Sequence, residues 1–131
     1  MTNQPGSSLE ERRERGLALL EQMLGKTKAE EFKATLRQLC PDFEEYVIGF
    51  LSGEIWARPG LDKRTKSLIT IAALMAMGRS KGLELNLRIA TNNGATQEEI
   101  TETLLHLAPY AGFPAAWEAL SIAHKVFSEI G

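Results

Sequence analysis

Cysteine is nearly missing from this sequence. Cys40 stands alone in 131 residues, so no disulfide forms within the chain and no pair of thiols can run a redox cycle. The expected setting is a reducing, cytoplasmic one. Histidine is almost as scarce: His106 and His124 are the only two, too few for a transition-metal site built from protein side chains. Gly-rich phosphate loops and Gly-x-Ser-x-Gly elbows are missing as well. Charge of one sign is nowhere concentrated. Fifteen Lys and Arg are interspersed with seventeen Asp and Glu for a net charge of -2, which argues against a phosphate-tracking surface and against nucleic acid as a partner. The most apolar stretch, Leu68 to Met77, is about half the ~20 residues of a membrane span. Met1 to Ser8 is polar, without the basic-then-apolar order of a secretory leader, so neither membrane nor export is expected.

Strand-like alternation is also lacking, and helical spacing takes its place. Ser8-Leu9-Glu10-Glu11, Thr27-Lys28-Ala29-Glu30 and Thr96-Gln97-Glu98-Glu99 each read as a capping box. Gly25 and Gly94 mark helix ends before the second and third, and Pro41-Asp42 and Gly60-Leu61-Asp62 mark two further breaks. The pattern predicts an all-α fold of about seven helices, near 8–24, 28–39, 42–56, 62–78, 83–93, 96–108 and 114–130. Residues 1–7 are expected as a loose tail and residues 8–131 as a single domain. Ala119, Ile122, Ala123, Val126, Phe127 and Ile130 make one stripe on the last helix. The stretch 68–77 is apolar on nearly every side and should be surrounded by other helices.

Polar residues on apolar faces are the informative exceptions, because a buried ionisable group must find a partner or change its proton affinity. On helix 42–56 the stripe Phe43, Val47, Phe50, Leu51 continues onto Glu54. A carboxyl at the edge of a core is a possible proton donor; the plainer reading, which spacing alone favours, is an ion pair with Arg58. Asn86 shares a face with Leu83, Leu87 and Ala90, where an amide can donate to a developing oxyanion or simply satisfy backbone groups. His106, with Tyr110 close behind, can protonate a carbanion near neutral pH, although a lone helical histidine is more often structural. His124 reads as a solvated surface residue.

Gly53-Glu54-Ile55-Trp56-Ala57-Arg58-Pro59-Gly60-Leu61-Asp62 leads into Arg64-Thr65-Lys66-Ser67-Leu68-Ile69-Thr70-Ile71-Ala72, and then come Gly78-Arg79, Asn93-Gly94-Ala95-Thr96-Gln97-Glu98-Glu99-Ile100 and Tyr110-Ala111-Gly112-Phe113-Pro114-Ala115-Ala116. In this order and spacing the chain resembles the carboxymuconolactone decarboxylase family over roughly 43–127. The resemblance implies the all-α fold shared with alkylhydroperoxidase D-like proteins. It implies a homo-oligomer, commonly a hexamer. It also implies decarboxylation of a carboxylated lactone such as 4-carboxymuconolactone, in the β-ketoadipate branch of aromatic-acid catabolism, with no metal or organic cofactor. The electron pair left by CO₂ would delocalise through the ring double bond onto the lactone carbonyl, and the protein would bind carboxylates, stabilise the dienolate and protonate carbon.

On this reading Arg58 and Arg79 are candidates to hold carboxylates, Asn86 to orient substrate or stabilise the enolate, and Glu54 and His106 to donate the proton. Trp56, Tyr110 and Trp117 complete the candidate substrate surface. Members that resemble this chain usually carry histidine where Leu85-Asn86-Leu87-Arg88 has Asn86, which can hydrogen-bond but not titrate. The C-x-x-C positions of the thiol-peroxidase branch fall on Arg79 and Gly82, so that thiol mechanism is excluded. Two other readings stand beside it: an isomerase, hydrolase-like or biosynthetic tailoring enzyme on another enolisable ring, and a catalytically silent helical oligomer that binds a ligand or partner, which a pocket filled by Trp117 and Phe113 would favour.

Overall fold

A computed structural model describes residues 8–130, and the tail expected over residues 1–7 lies outside them. The fold is all-α, with no strand among the described residues. The chain divides between Asp62 and Lys63 into two compact units.

The first unit holds α1 (Leu9–Leu24), α2 (Lys26–Leu39) and α3 (Pro41–Glu45), which runs on without a break as a π-helical segment, Tyr46–Trp56. The first capping box forms as its residues dictate: Ser8 Oγ accepts from the Glu11 N–H, and the Glu11 carboxylate accepts from the Ser8 N–H. The second does not. Gly25, at φ 87°, both ends α1 and starts α2 at Lys26, one residue before Thr27, which leaves no N-cap role for the threonine hydroxyl. α1 buries Gly16, Leu19, Leu20, Met23 and Leu24, one stripe at helical spacing.

Along the π segment the structure departs from the expected face. At 3.6 residues per turn Phe43, Val47, Phe50 and Leu51 should be inside, yet Phe43, Phe50 and Leu51 are exposed. The buried positions are Glu44, Ile48, Ser52 and Gly53. Glu44, Ile48 and Ser52 fall four apart, the stride of the wider π turn, in which N–H groups reach back five residues rather than four. The glycines show how closely the backbone of α1 approaches this segment. A Cβ on Gly16 would collide with the Ile48 carbonyl oxygen, and one on Gly53 with the Arg12 carbonyl oxygen. α1 and the π segment therefore cross backbone on backbone, a contact only glycine permits. Arg15 Nε donates to the Gly53 carbonyl at 2.8 Å and satisfies an acceptor within the distorted turn.

The second unit holds α4 (Lys63–Met77), α5 (Ser80–Asn92), α6 (Gln97–Ala111) and α7 (Phe113–Ile130). Ile71, Leu83, Leu87, Ile100, Leu104 and Val126 lead one buried cluster, packed with the small residues Ala116, Ala119 and Ala123 of α7. The Thr96–Glu99 capping box forms as read. α5 starts three residues earlier than spacing suggested, at Ser80. α6 runs past Pro109 to Ala111, because a proline in the last turn removes a single hydrogen bond and Gly112 then caps the end at φ 108°. α4 is not enclosed as expected. Ser67, Ile71 and Met75 are buried along one side, while Ile69 and Met77 stand exposed.

Candidate active site

Glu54, Trp56 and Arg58 belong to the first unit; Arg79, Asn86, His106, Tyr110 and Trp117 belong to the second. Glu54 lies near the end of the π segment with its side chain 22% exposed, and Arg12 Nη1 stands 3.8 Å from its carboxylate. That separation is an ion pair without a hydrogen bond. Spacing along one helix brings Arg58 forward as a companion; Arg12 arrives from α1, across the glycine crossing. Trp56 and Arg58 are half-buried, and the Arg58 N–H closes the final turn onto the Ile55 carbonyl at 3.3 Å.

In the second unit Arg79 is the N-cap of α5 and is exposed. It borders a cavity of about 200 Å³ with Ser80, Leu83, Pro114 and Glu118, where Ser80 Oγ donates to the Glu118 carboxylate. An arginine, a hydroxyl and a carboxylate around an apolar floor have the chemistry to orient one small polar molecule. Asn86 lies further along the same helix, half-buried, with Nδ2 donating to the Gly82 carbonyl at 2.9 Å. One N–H of its amide thus serves the helix backbone, and its carbonyl and second N–H are left for a ligand.

His106 is exposed and has Tyr110 as its neighbour one turn on, the rings 5.6 Å apart and tilted by 38°. Tyr110, Phe113 and Trp117 are each more than 70% exposed around the turn between α6 and α7. Trp117 and Phe113 are not among the residues lining the cavity at Arg79. His124 is exposed, as its setting beside Lys125 suggested. Among the described residues no three His, Cys, Asp or Glu side chains gather as a metal site demands.

Two further ion-paired groups stand out in the second unit. Glu99 is held down to about 2, first by hydrogen bonds from Arg64 and then by its own capping box. Arg88, next to the Asn86 position, is engaged by Glu129 at 2.9 Å and Glu84 at 3.4 Å, and these partners raise its pKa. Spacing along the chain does not point to Arg12, Arg15 or the Gly16–Gly53 crossing. The only signal was a dense Glu-Arg run over 10–15, which reads as a solvated face.

A sequence model of the carboxymuconolactone decarboxylase family matches residues 41–125. The chain belongs to that family. Its match spans both units, from the start of α3 into α7. The chain is 39% identical over 122 residues to a 4-carboxymuconolactone decarboxylase of Acinetobacter baylyi, covering 93% of this chain and 91% of that one. It is 30% identical to a nitrosuccinic acid decarboxylase of Metarhizium robertsii, over 88% of this chain and 80% of that one. A third relative in the same range, a 15.0 kDa protein encoded between nqo9 and nqo10 in Paracoccus denitrificans, is 33% identical over 72% of each chain. Family membership places Glu54, Arg58, Arg79, Asn86, His106, Tyr110 and Trp117 all inside the matched region, while Arg12 and Arg15 precede it.

Proposed function

We propose that this chain is a cofactor-independent carboxy-lyase acting on 4-carboxymuconolactone or a closely related carboxylated lactone in aromatic-acid catabolism. The observation that carries the reading is near full-length likeness to a decarboxylase of that name. The chemistry needs no external electron sink, since the unsaturated lactone carbonyl accepts the pair released with CO₂. What remains for the protein is to hold carboxylates, meet the growing negative charge on oxygen and return a proton to carbon. Arg58 and Arg79 take the first role, and the free amide N–H of Asn86 takes the second. Glu54 takes the third, with His106 as its rival; Trp56, Tyr110 and Trp117 supply ring contacts.

The second decarboxylase relative favours one variation. A carboxyl on a nitro-bearing carbon is activated like one conjugated to a lactone carbonyl, because the pair left by CO₂ passes to oxygen in both. An open-chain acid with such a sink is the alternative substrate class. Asparagine at position 86 suits either, as it hydrogen-bonds an oxyanion without titrating.

We also propose a cytoplasmic homo-oligomer, a hexamer. Phe43, Leu51 and Ile55 in the first unit, and Ile69, Met77, Leu105 and Trp117 in the second, are large apolar side chains left more than 40% exposed. Such surface is what subunit contacts bury. A stable monomer by light scattering at micromolar concentration would contradict this part.

The decisive assay follows the lactone's ultraviolet absorbance with purified protein and nothing added. Glu54→Gln should slow turnover about 100-fold or more, and His106→Asn should have little effect. Asn86→His should raise turnover. If neither the natural chain nor Asn86→His consumes the lactone, the lactone assignment fails and nitrosuccinic acid becomes the next substrate to try.

A further inference from the structure

We propose that a cavity between α1 and the π segment binds a small ring-bearing carboxylate, with Arg12 as the anchoring residue beside Glu54. The cavity measures about 320 Å³, at the lower end of small-ligand sites. Leu9, Tyr46 and Phe50 supply apolar walls, and Arg12, Arg13 and Glu45 supply charge. The stride of four along the π segment puts Tyr46, Phe50 and Glu54 in one row, so the walls of the cavity lead toward the carboxylate that Arg12 faces.

The two arginines differ in what they have left to give. Arg13 is committed, with Nη2 on Glu44 at 2.6 Å and Nη1 3.0 Å from Glu45. Arg12 is not: its approach to Glu54 is 3.8 Å, and Nε makes one long bond to the Ser8 carbonyl at 3.4 Å. Its forked donor edge can accept a ligand carboxylate at full hydrogen-bond strength. Arg13 adds a second, weaker incentive. Its buried Nη1 has no properly aligned hydrogen-bond acceptor among the described residues despite the nearness of Glu45. Glu44, Glu45 and Glu54 already balance the two guanidinium groups, so the incentive for an incoming anion is the unfilled donor geometry of Arg12 and not a surplus of charge. A ring between Tyr46 and Phe50 with its carboxylate on Arg12 satisfies both halves of the cavity. Seating that anion gives Arg12 a closer partner than Glu54 and frees the Glu54 carboxyl for the substrate.

The link to turnover rests on Glu54 as proton donor; the binding site does not. Calorimetric titration with isophthalate, a ring with two carboxylates, tests the site directly, with neutral benzamide as control. The full-length protein should bind isophthalate measurably below about 10 mM, and Arg12→Gln should weaken that at least about tenfold, with benzamide unaffected. Gly49→Leu gives an independent check. Gly49 borders the cavity and a Cβ there meets nothing within 4 Å, so the longer side chain occupies the space without disturbing the fold and should also abolish binding. Glu54→Gln should bind isophthalate as well as the natural chain or better. Binding that ignores both Arg12→Gln and Gly49→Leu, or no binding at all, overturns the proposal. If Arg12→Gln does not fold, Gly49→Leu decides alone. Binding through Arg12 without lactone turnover keeps the site and rejects the lactone reading; Glu54-dependent turnover with isophthalate indifferent to Arg12 does the reverse.

Discussion

Arg13 on α1 meets the Glu44 carboxylate at 2.6 Å, and no part of that glutamate is open to solvent. The hydrogen bond from Arg13 is the first cause of that arginine's raised pKa. The remaining companion of Glu44 is Arg37, at 3.5 Å and largely exposed. A buried carboxylate deprived of its main partner cannot recover hydration, so Arg13→Met should destabilise the protein by about 3 kcal/mol. Pairing it with Glu44→Leu removes the stranded charge and should restore most of the loss. Urea unfolding of both variants checks this; a double variant no better than the single one would refute it.

Acid should weaken the protein through Glu99. Its carboxyl is lowered from 4.5 to about 2, chiefly by Arg64, whose Nε bonds it at 3.1 Å. A depressed folded-state value means that the unfolded chain takes up the proton first. The stabilising contribution is therefore complete above about 4.5 and is lost as pH falls toward about 2. Melting temperature across that window should fall less steeply in Arg64→Gln than in the natural chain. Parallel curves would show that the pair contributes nothing.

Two glycines of the first unit should respond in opposite ways to the same change. Gly16→Ala drives a methyl into the Ile48 carbonyl and should cost about 3 kcal/mol or prevent folding. Gly49→Ala places its methyl in open space and should be neutral or stabilise by about 0.5–1 kcal/mol, by reducing the freedom of the unfolded backbone. Thermal melts of the two variants are sufficient to compare them.

Cys40 should be dispensable. It is exposed and serves as the N-cap of α3, without a side-chain cap bond. Serine there can accept from a free N–H of the first turn, so Cys40→Ser should leave lactone turnover unchanged and raise stability by up to about 1 kcal/mol. A large loss of turnover in a folded variant would mean that the thiol takes part in the reaction.

Most of the helices could be read from the chain, because capping boxes and three-four spacing are local. Ser8 with Glu11 and Thr96 with Glu99 close as written. Thr27 fails where Gly25 turns the backbone one residue early. A fixed period of 3.6 misplaces the buried face of 42–56 because the backbone there is widened. The close crossing at that segment, Gly16 and Gly53, joins residues far apart in sequence. The same distance hid Arg12. Glu54 stood out through its apolar neighbours, but its charged companion comes from another helix. Asn86 and His106 were visible as polar interruptions, while their accessibility depends on packing that no periodicity encodes.

The glycine crossing also decides where this protein can be cut. The region that matches the family begins at residue 41, after α1 and α2 have ended. A chain trimmed to residues 41–125 would retain nearly every recognisable family residue. It would also lose the helix against which Ile48 and Gly53 lie, the Arg15 donor to the Gly53 carbonyl and the Arg13 partner of Glu44. Residues 8–40 are thus a structural prerequisite for the segment that carries Glu54, and the family match marks a shorter piece than the one that can hold its shape.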